Sequence, residues 1–258
     1  MRRRTRRPVG AVLAGTMLLV AGAGAASAAE IKVLSAGAVR AIVTELAPPF
    51  EKETGHKVTF EFGTAGQTRQ RLASQPADVV ILTDAGIDEA IKQDRVVAGS
   101  RADIARTGMG VGIREGAPKP DISTTEAFKK ALLAAKSITY VDPAQGATSG
   151  VYFSGLLQNW GIADALKPKT TLVPGGYPAE LVAKGEAELV VHQISEILPV
   201  KGVALAGPLP KDIQKVTVYS AGLVSKAAAP EAARAFIAYL MSQPVRPKFA
   251  SAGLDYKE

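Results

Sequence analysis

Short apolar runs alternate with helix-period segments along almost the whole chain after residue 28, and this alternation is the strongest constraint on the fold. Runs at 31–34, 58–62, 79–82, 110–113, 138–141, 189–191, 203–205 and 216–224 read as strands. Between them, 39–53, 67–74, 87–93, 125–135, 150–160, 179–184 and 232–241 carry apolar residues at helical spacing. Such alternation predicts parallel sheets covered by helices, an α/β architecture. The chain changes region twice, near 107–113 and again at 216–224. Two separated crossings predict a discontinuous first lobe (29–109 plus 222–258) and a contiguous second lobe (110–221, including the second crossing strand). A ligand cleft between the lobes and a hinge follow from that arrangement.

The first 28 residues have a different character. Arg2, Arg3, Arg4, Arg6 and Arg7 precede an apolar stretch at 9–23, and Ala26-Ser27-Ala28 offers small residues for cleavage. This reads as a signal peptide, with a soluble exported protein beginning at Ala29. Five of the 31 basic residues and none of the 24 acidic ones lie in this segment. The remainder therefore carries 26 against 24, a net charge near +2, which removes the case for a nucleic-acid or polybasic membrane binder. Absence of cysteine excludes disulfides, thiol catalysis and a lipid-modified cysteine anchor. A periplasmic, unanchored monomer is expected.

Three strands end in small polar loops just before a helix. These are Ser35-Ala36-Gly37-Ala38, Gly63-Thr64-Ala65-Gly66-Gln67, and the segment 142–150 with Thr148 and Ser149. Helix starts present unpaired N–H groups and the positive end of a dipole, which together suit an anion. Hydroxyls of Ser35, Thr64, Thr148 and Ser149 add donors, and the loops lie at carboxyl ends of strands, where open α/β sheets bind ligands. Any one such loop also reads as ordinary capping; three together point to a bound anion. Nothing matches a P-loop, a zinc site or a Gly-x-Ser-x-Gly elbow, so no metal or cofactor is expected.

Of the two histidines, His56 sits in a polar turn. His192 ends an apolar strand, where it reads equally as a buried structural residue, a donor to a carboxylate, or a general base.

The segments Ile31-Lys32-Val33-Leu34-Ser35-Ala36-Gly37-Ala38, Phe62-Gly63-Thr64-Ala65-Gly66 and Ala77-Asp78-Val79-Val80-Ile81-Leu82-Thr83-Asp84 resemble the periplasmic molybdate-binding proteins. Ser149-Gly150-Val151-Tyr152 and the stretch from Phe236 to Leu254 extend the likeness over most of the chain. The resemblance implies the two-lobed type II periplasmic binding fold, an oxyanion in the cleft and delivery to an ABC importer. It also implies hydroxyl ligands where this chain has Ala38 and Ala65 or Gly66, and a tyrosine where it has His192. Each missing buried donor would cost about 1–3 kcal/mol of a tetrahedral oxyanion's binding.

An organic di- or tricarboxylate is therefore favoured over molybdate. Ala38, Gly66 and Gly176 provide room, and Arg40, Arg69 or Arg71 provides a cation able to grip a carboxylate with two parallel bonds. Arg40 and Arg69 lie nearest the helix starts. The expected walls are Ser35, Gly37, Ala38, Thr64, Ala65 and Gly66 on one side, and Thr148, Ser149, Gly176, Tyr177 and His192 on the other. The expected role is capture of a small anion for an importer. A periplasmic aconitate isomerase is similar to this same family, and the alternative is an enzyme of that type. His192 would then move an allylic proton between cis- and trans-aconitate, with Ser35, Thr64 or Tyr177 holding carboxylates.

Overall fold

The computed structural model describes residues 28–255. The predicted signal segment, apart from its last residue, lies outside them. In chain order the strands are β1 (Glu30–Ala36), β2 (Lys57–Gly63), β3 (Val79–Thr83), β4 (Ala102–Thr107), β5 (Met109–Arg114), β6 (Ile138–Val141), β7 (Thr170–Val173), β8 (Leu189–Gln193), β9 (Val203–Pro208) and β10 (Thr217–Leu223). The helices are α1 (Arg40–Thr54), α2 (Ala65–Ser74), α3 (Asp84–Lys92), α4 (Thr125–Ala134), α5 (Thr148–Asn159), α6 (Ala163–Leu166), α7 (Ala179–Lys184), α8 (Ile194–Ile197), α9 (Pro230–Leu240) and α10 (Arg246–Ser251).

The strands form two five-stranded sheets, ordered β2-β1-β3-β10-β4 and β7-β6-β8-β5-β9. Both follow one plan. Three parallel strands come first, with β1 between β2 and β3 and β6 between β7 and β8. An antiparallel strand then fills the fourth place, β10 in one sheet and β5 in the other. The chain leaves the first sheet through Gly108 alone and returns through 209–216. The sequence reading grouped residues up to 221 with the second lobe. The ladders from Thr217↔Thr107 to Leu223↔Val79 instead hold the whole of β10 in the first sheet.

Burial explains why these segments become these elements. Val79, Val80, Ile81 and Leu82 in β3 are all fully buried, as expected of a central strand covered on both faces. In α1, Ile42, Val43, Leu46, Ala47 and Phe50 face inward at helical spacing. Gly55 ends that helix in the left-handed region, at φ 76°. Phe50 meets Phe236 of α9 edge-on at 5.1 Å, and Phe153 of α5 meets Tyr140 of β6 at 5.0 Å. Each such buried side chain contributes about 1.5–3 kcal/mol. These cores hold the carboxyl ends of β1, β2, β6 and β8 on facing walls of one cleft.

Candidate functional site

The cleft encloses about 320 Å³, within the ordinary range for small-molecule sites. From the first lobe it is lined by Gly37, Ala38, Arg40, Phe62, Thr64, Ala65, Gln67 and Tyr219, among others. From the second come Thr148, Ser149, Gly176, Tyr177, His192, Gln193 and Glu196.

At the end of β1 the chain turns through a short 3-10 segment, Gly37–Val39, into α1. This turn brings Arg40 to the cleft. Its guanidinium carbon lies 4.7 Å from the centroid of the Phe62 ring and 5.7 Å from that of Tyr177. Among the described residues no carboxylate lies within ion-pair distance of Arg40. It is a cation held by aromatic faces and still able to take an anion.

Thr64 caps α2. Its hydroxyl accepts from the Gln67 amide in a capping box and donates to the Gln145 carbonyl of the opposite lobe. Gly66 N donates to Gly146 O at 3.1 Å, and Gln67 Nε2 donates to Gln145 Oε1 at 3.2 Å and to Pro174 O at 3.4 Å. The lobes are therefore tied together at this edge of the cleft.

On the second wall, no side chain caps α5, so its first-turn amides have no side-chain acceptor where Ala147, Thr148 and Ser149 line the cleft. Gly150 lets this turn pack on β6; a Cβ there would stand 2.1 Å from the Val141 carbonyl oxygen. The loop after β7 brings in Tyr177 through Gly176, which has φ 77°. Burial, with the Glu196 charge adding to it and Arg40 opposing it, pushes the Tyr177 phenol up to about 12. Tyr219 is fully buried between Thr148 and Gln193, and burial raises its phenol well above the ordinary tyrosine range. Both therefore stay neutral near pH 7 and can donate hydrogen bonds.

His192 is 2% exposed at the end of β8. Its Nδ1 lies 2.9 Å from Ser149 Oγ, and its Nε2 lies 3.3 Å from Glu196 Oε2. The second contact is at ion-pair distance but is not aligned as a hydrogen bond. Next to it, Gln193 Nε2 reaches Thr217 Oγ1 at 3.3 Å, while Gln193 Oε1 has no partner within the protein.

Of the residues picked out in the sequence, Gly37, Ala38, Arg40, Thr64, Ala65, Thr148, Ser149, Gly176, Tyr177 and His192 converge on the cleft. Four do not line it. Ser35 is fully buried and its hydroxyl donates to Ala36 O at 3.0 Å. Gly66 is packed against Gln145 and Gly146, and Arg69 is exposed beside Gln145 and Gly146 of the opposite lobe, outside the cleft. Arg71 pairs with Glu61 at 2.9 Å. Sequence reasoning missed Gln67, Gln193, Glu196 and Tyr219. The spacing of His192 and Glu196 was the available signal, since a strand end followed directly by a helical turn brings positions four apart together.

Two α/β lobes closing over a cleft, with helix starts and a cation on its walls, define a solute-binding architecture. The chain belongs to the family described as bacterial extracellular solute-binding protein, whose profile matches residues 31–255. It is 37% identical over 250 residues to an aconitate isomerase from Pseudomonas sp., an alignment covering 94% of this chain and 92% of that protein. It is 31% identical over 225 residues to the molybdate-binding protein ModA of Azotobacter vinelandii, covering 84% and 86%. The structure of a periplasmic molybdate-binding protein from Azotobacter vinelandii superimposes with a TM-score of 0.73 at 21% identity, covering 88% of this chain and all of that one.

Proposed function

We propose that this protein is an isomerase of the aconitate type, moving a proton between two carbons of an unsaturated tricarboxylate. The observation that carries this reading is His192, buried in the cleft between Ser149 and Glu196. Similarity to an aconitate isomerase over nearly the whole chain supports it. In trans-aconitate the methylene beside a carboxylate is also allylic. His192 takes one of its protons, the double bond shifts by one carbon, and the proton returns at the far carbon to give the cis isomer. Arg40 and the start of α5 offset the negative charge that develops on the allylic system. The aromatic and glycine-rich lining leaves room for a planar tricarboxylate.

Molybdate fits less well. Ala38 and Ala65 line the wall where the resemblance calls for hydroxyls, and the Thr64 hydroxyl is engaged by Gln145.

A receptor that holds a carboxylate and passes it to an importer is the second reading. The cross-lobe bonds of Thr64, Gly66 and Gln67 favour it, because they suit closure around a ligand. An exported, periplasmic location suits either role. The test is incubation of the purified protein with trans-aconitate, followed by proton NMR in deuterated water. Formation of cis-aconitate with deuterium at the receiving carbon, lost in His192→Ala while binding persists, establishes the isomerase. Binding without conversion establishes the receptor instead.

A further inference from the structure

Glu196 is a buried carboxylate with an unusual set of neighbours. It is 7% exposed, in the single turn of α8 that begins directly after β8. Its Oε2 faces His192 Nε2 at 3.3 Å. Its Oε1 lies so close to Gly37 of the opposite lobe that a Cβ there would be 2.9 Å away. Among the described residues His192 is its only ion-pair partner. A buried anion needs a donor, and an ionised carboxylate can only accept. Although the contact is not aligned as a hydrogen bond, the charge of the carboxylate draws the imidazole proton to Nε2. Nδ1 keeps its lone pair, directed at Ser149 on the side of the α5 start, where it accepts from the Ser149 hydroxyl.

We infer that Glu196 is the positioning residue for His192, holding it in the Nε2–H tautomer so that Nδ1, freed when the Ser149 hydroxyl turns to a substrate carboxylate, is the atom that takes and returns the proton. The inference rests on the isomerase reading for its chemistry, but the tautomer is a property of the protein alone. Once Nδ1 takes a proton, the imidazolium sits against Glu196 and is stabilised there, the part an acidic partner plays for a histidine base. Gly37 is part of the device: the missing side chain makes the space that Glu196 Oε1 occupies on closure.

The chain has only two histidines, which makes the test direct. Long-range ¹H–¹⁵N NMR is run on the labelled protein about two pH units above the ordinary imidazole value of roughly 6.5, with His56→Gln to assign the signals. The expected result is His192 protonated on Nε2 alone in the wild type. In Glu196→Gln the proton moves wholly or partly to Nδ1. Turnover of trans-aconitate in that variant falls about a hundredfold or more in kcat, while KM changes less than about threefold. Gly37→Ala, which keeps the carboxylate but displaces it, shifts the tautomer and kcat in the same direction and serves if Glu196→Gln does not fold. A wild-type His192 protonated on Nδ1 or on both nitrogens overturns the inference. So does a tautomer unchanged in both variants, or an unchanged kcat. A wild type that converts no aconitate sinks the isomerase reading, and the NMR result still decides what Glu196 does to His192.

Discussion

Gly66 and Gly146 meet backbone to backbone across the cleft, with Gly66 N donating to Gly146 O at 3.1 Å. A Cβ on Gly66 would stand 2.8 Å from Gln145 O and 3.0 Å from Gly146 Cα. Main-chain atoms cannot swing aside as a side-chain end can. Gly66→Ala should therefore hold the lobes apart without unfolding either. Small-angle scattering should report a larger radius for the variant, and calorimetry about tenfold weaker binding of trans-aconitate, a cost of about 1.4 kcal/mol. A variant as closed and as tight as the wild type would show that the contact plays no part in closure.

Arg40 tests whether the cleft is built for a carboxylate. Arg40→Lys keeps the charge but loses the planar fork that can grip two oxygens and lie against Phe62 and Tyr177. We expect trans-aconitate affinity to fall at least about tenfold in Arg40→Lys and further in Arg40→Met. The unliganded melting temperature should change little, because among the described residues Arg40 has no ion-pair partner to lose. Equal affinity across all three proteins would exclude Arg40 from ligand binding.

Two glycines of α5 should behave oppositely. At Gly150 a Cβ meets the Val141 carbonyl oxygen at 2.1 Å, whereas at Gly155 nothing lies within 4 Å. Gly150→Ala should destabilise by about 2 kcal/mol or more, through overpacking at a backbone contact. Gly155→Ala should stabilise by roughly 0.5–1 kcal/mol, because alanine is the better helix former. Urea denaturation of both variants checks this pair.

Asp103 should contribute to the pH dependence of stability. The Arg101 guanidinium, 2.8 Å away, holds its carboxyl below the usual carboxylate range, and the Ser220 hydroxyl adds a 2.7 Å bond. A folded pKa below the unfolded one stabilises the protein above the unfolded value, near 4. That contribution fades as the pH falls through the folded pKa. Asp103→Asn should therefore melt below the wild type at pH 7, with the gap closing as the pH falls below about 4. A gap independent of pH would assign the effect to packing.

Most of the strand segments were legible because central strands are dense in apolar side chains, as in 79–82 and 138–141, but the antiparallel run of β5 and β10 within sheets expected to be parallel was not. β4 (ADIART) and β7 (TTLV) were not. Each lies at the edge of its sheet, so tertiary pairing rather than an apolar run defines it. His192 stood out as one of two histidines, at the end of an apolar strand. Glu196 did not, because carboxylates are common and nothing local marks one as buried.

By itself, then, the order of apolar runs and glycine-rich turns determined an α/β fold of two units and the loops that face the cleft. Which of those loops' side chains reach it was decided by packing. The Ser35 hydroxyl turned to its own backbone and Thr64 bonded across to Gln145, while Tyr219 and Glu196 arrived from elements distant in sequence or invisible in it. Local propensity sets where strands end and helices begin. Which polar group of one lobe meets which of the other depends on how the lobes close, a relation between residues such as Thr64 and Gln145, 81 positions apart, that no local pattern encodes.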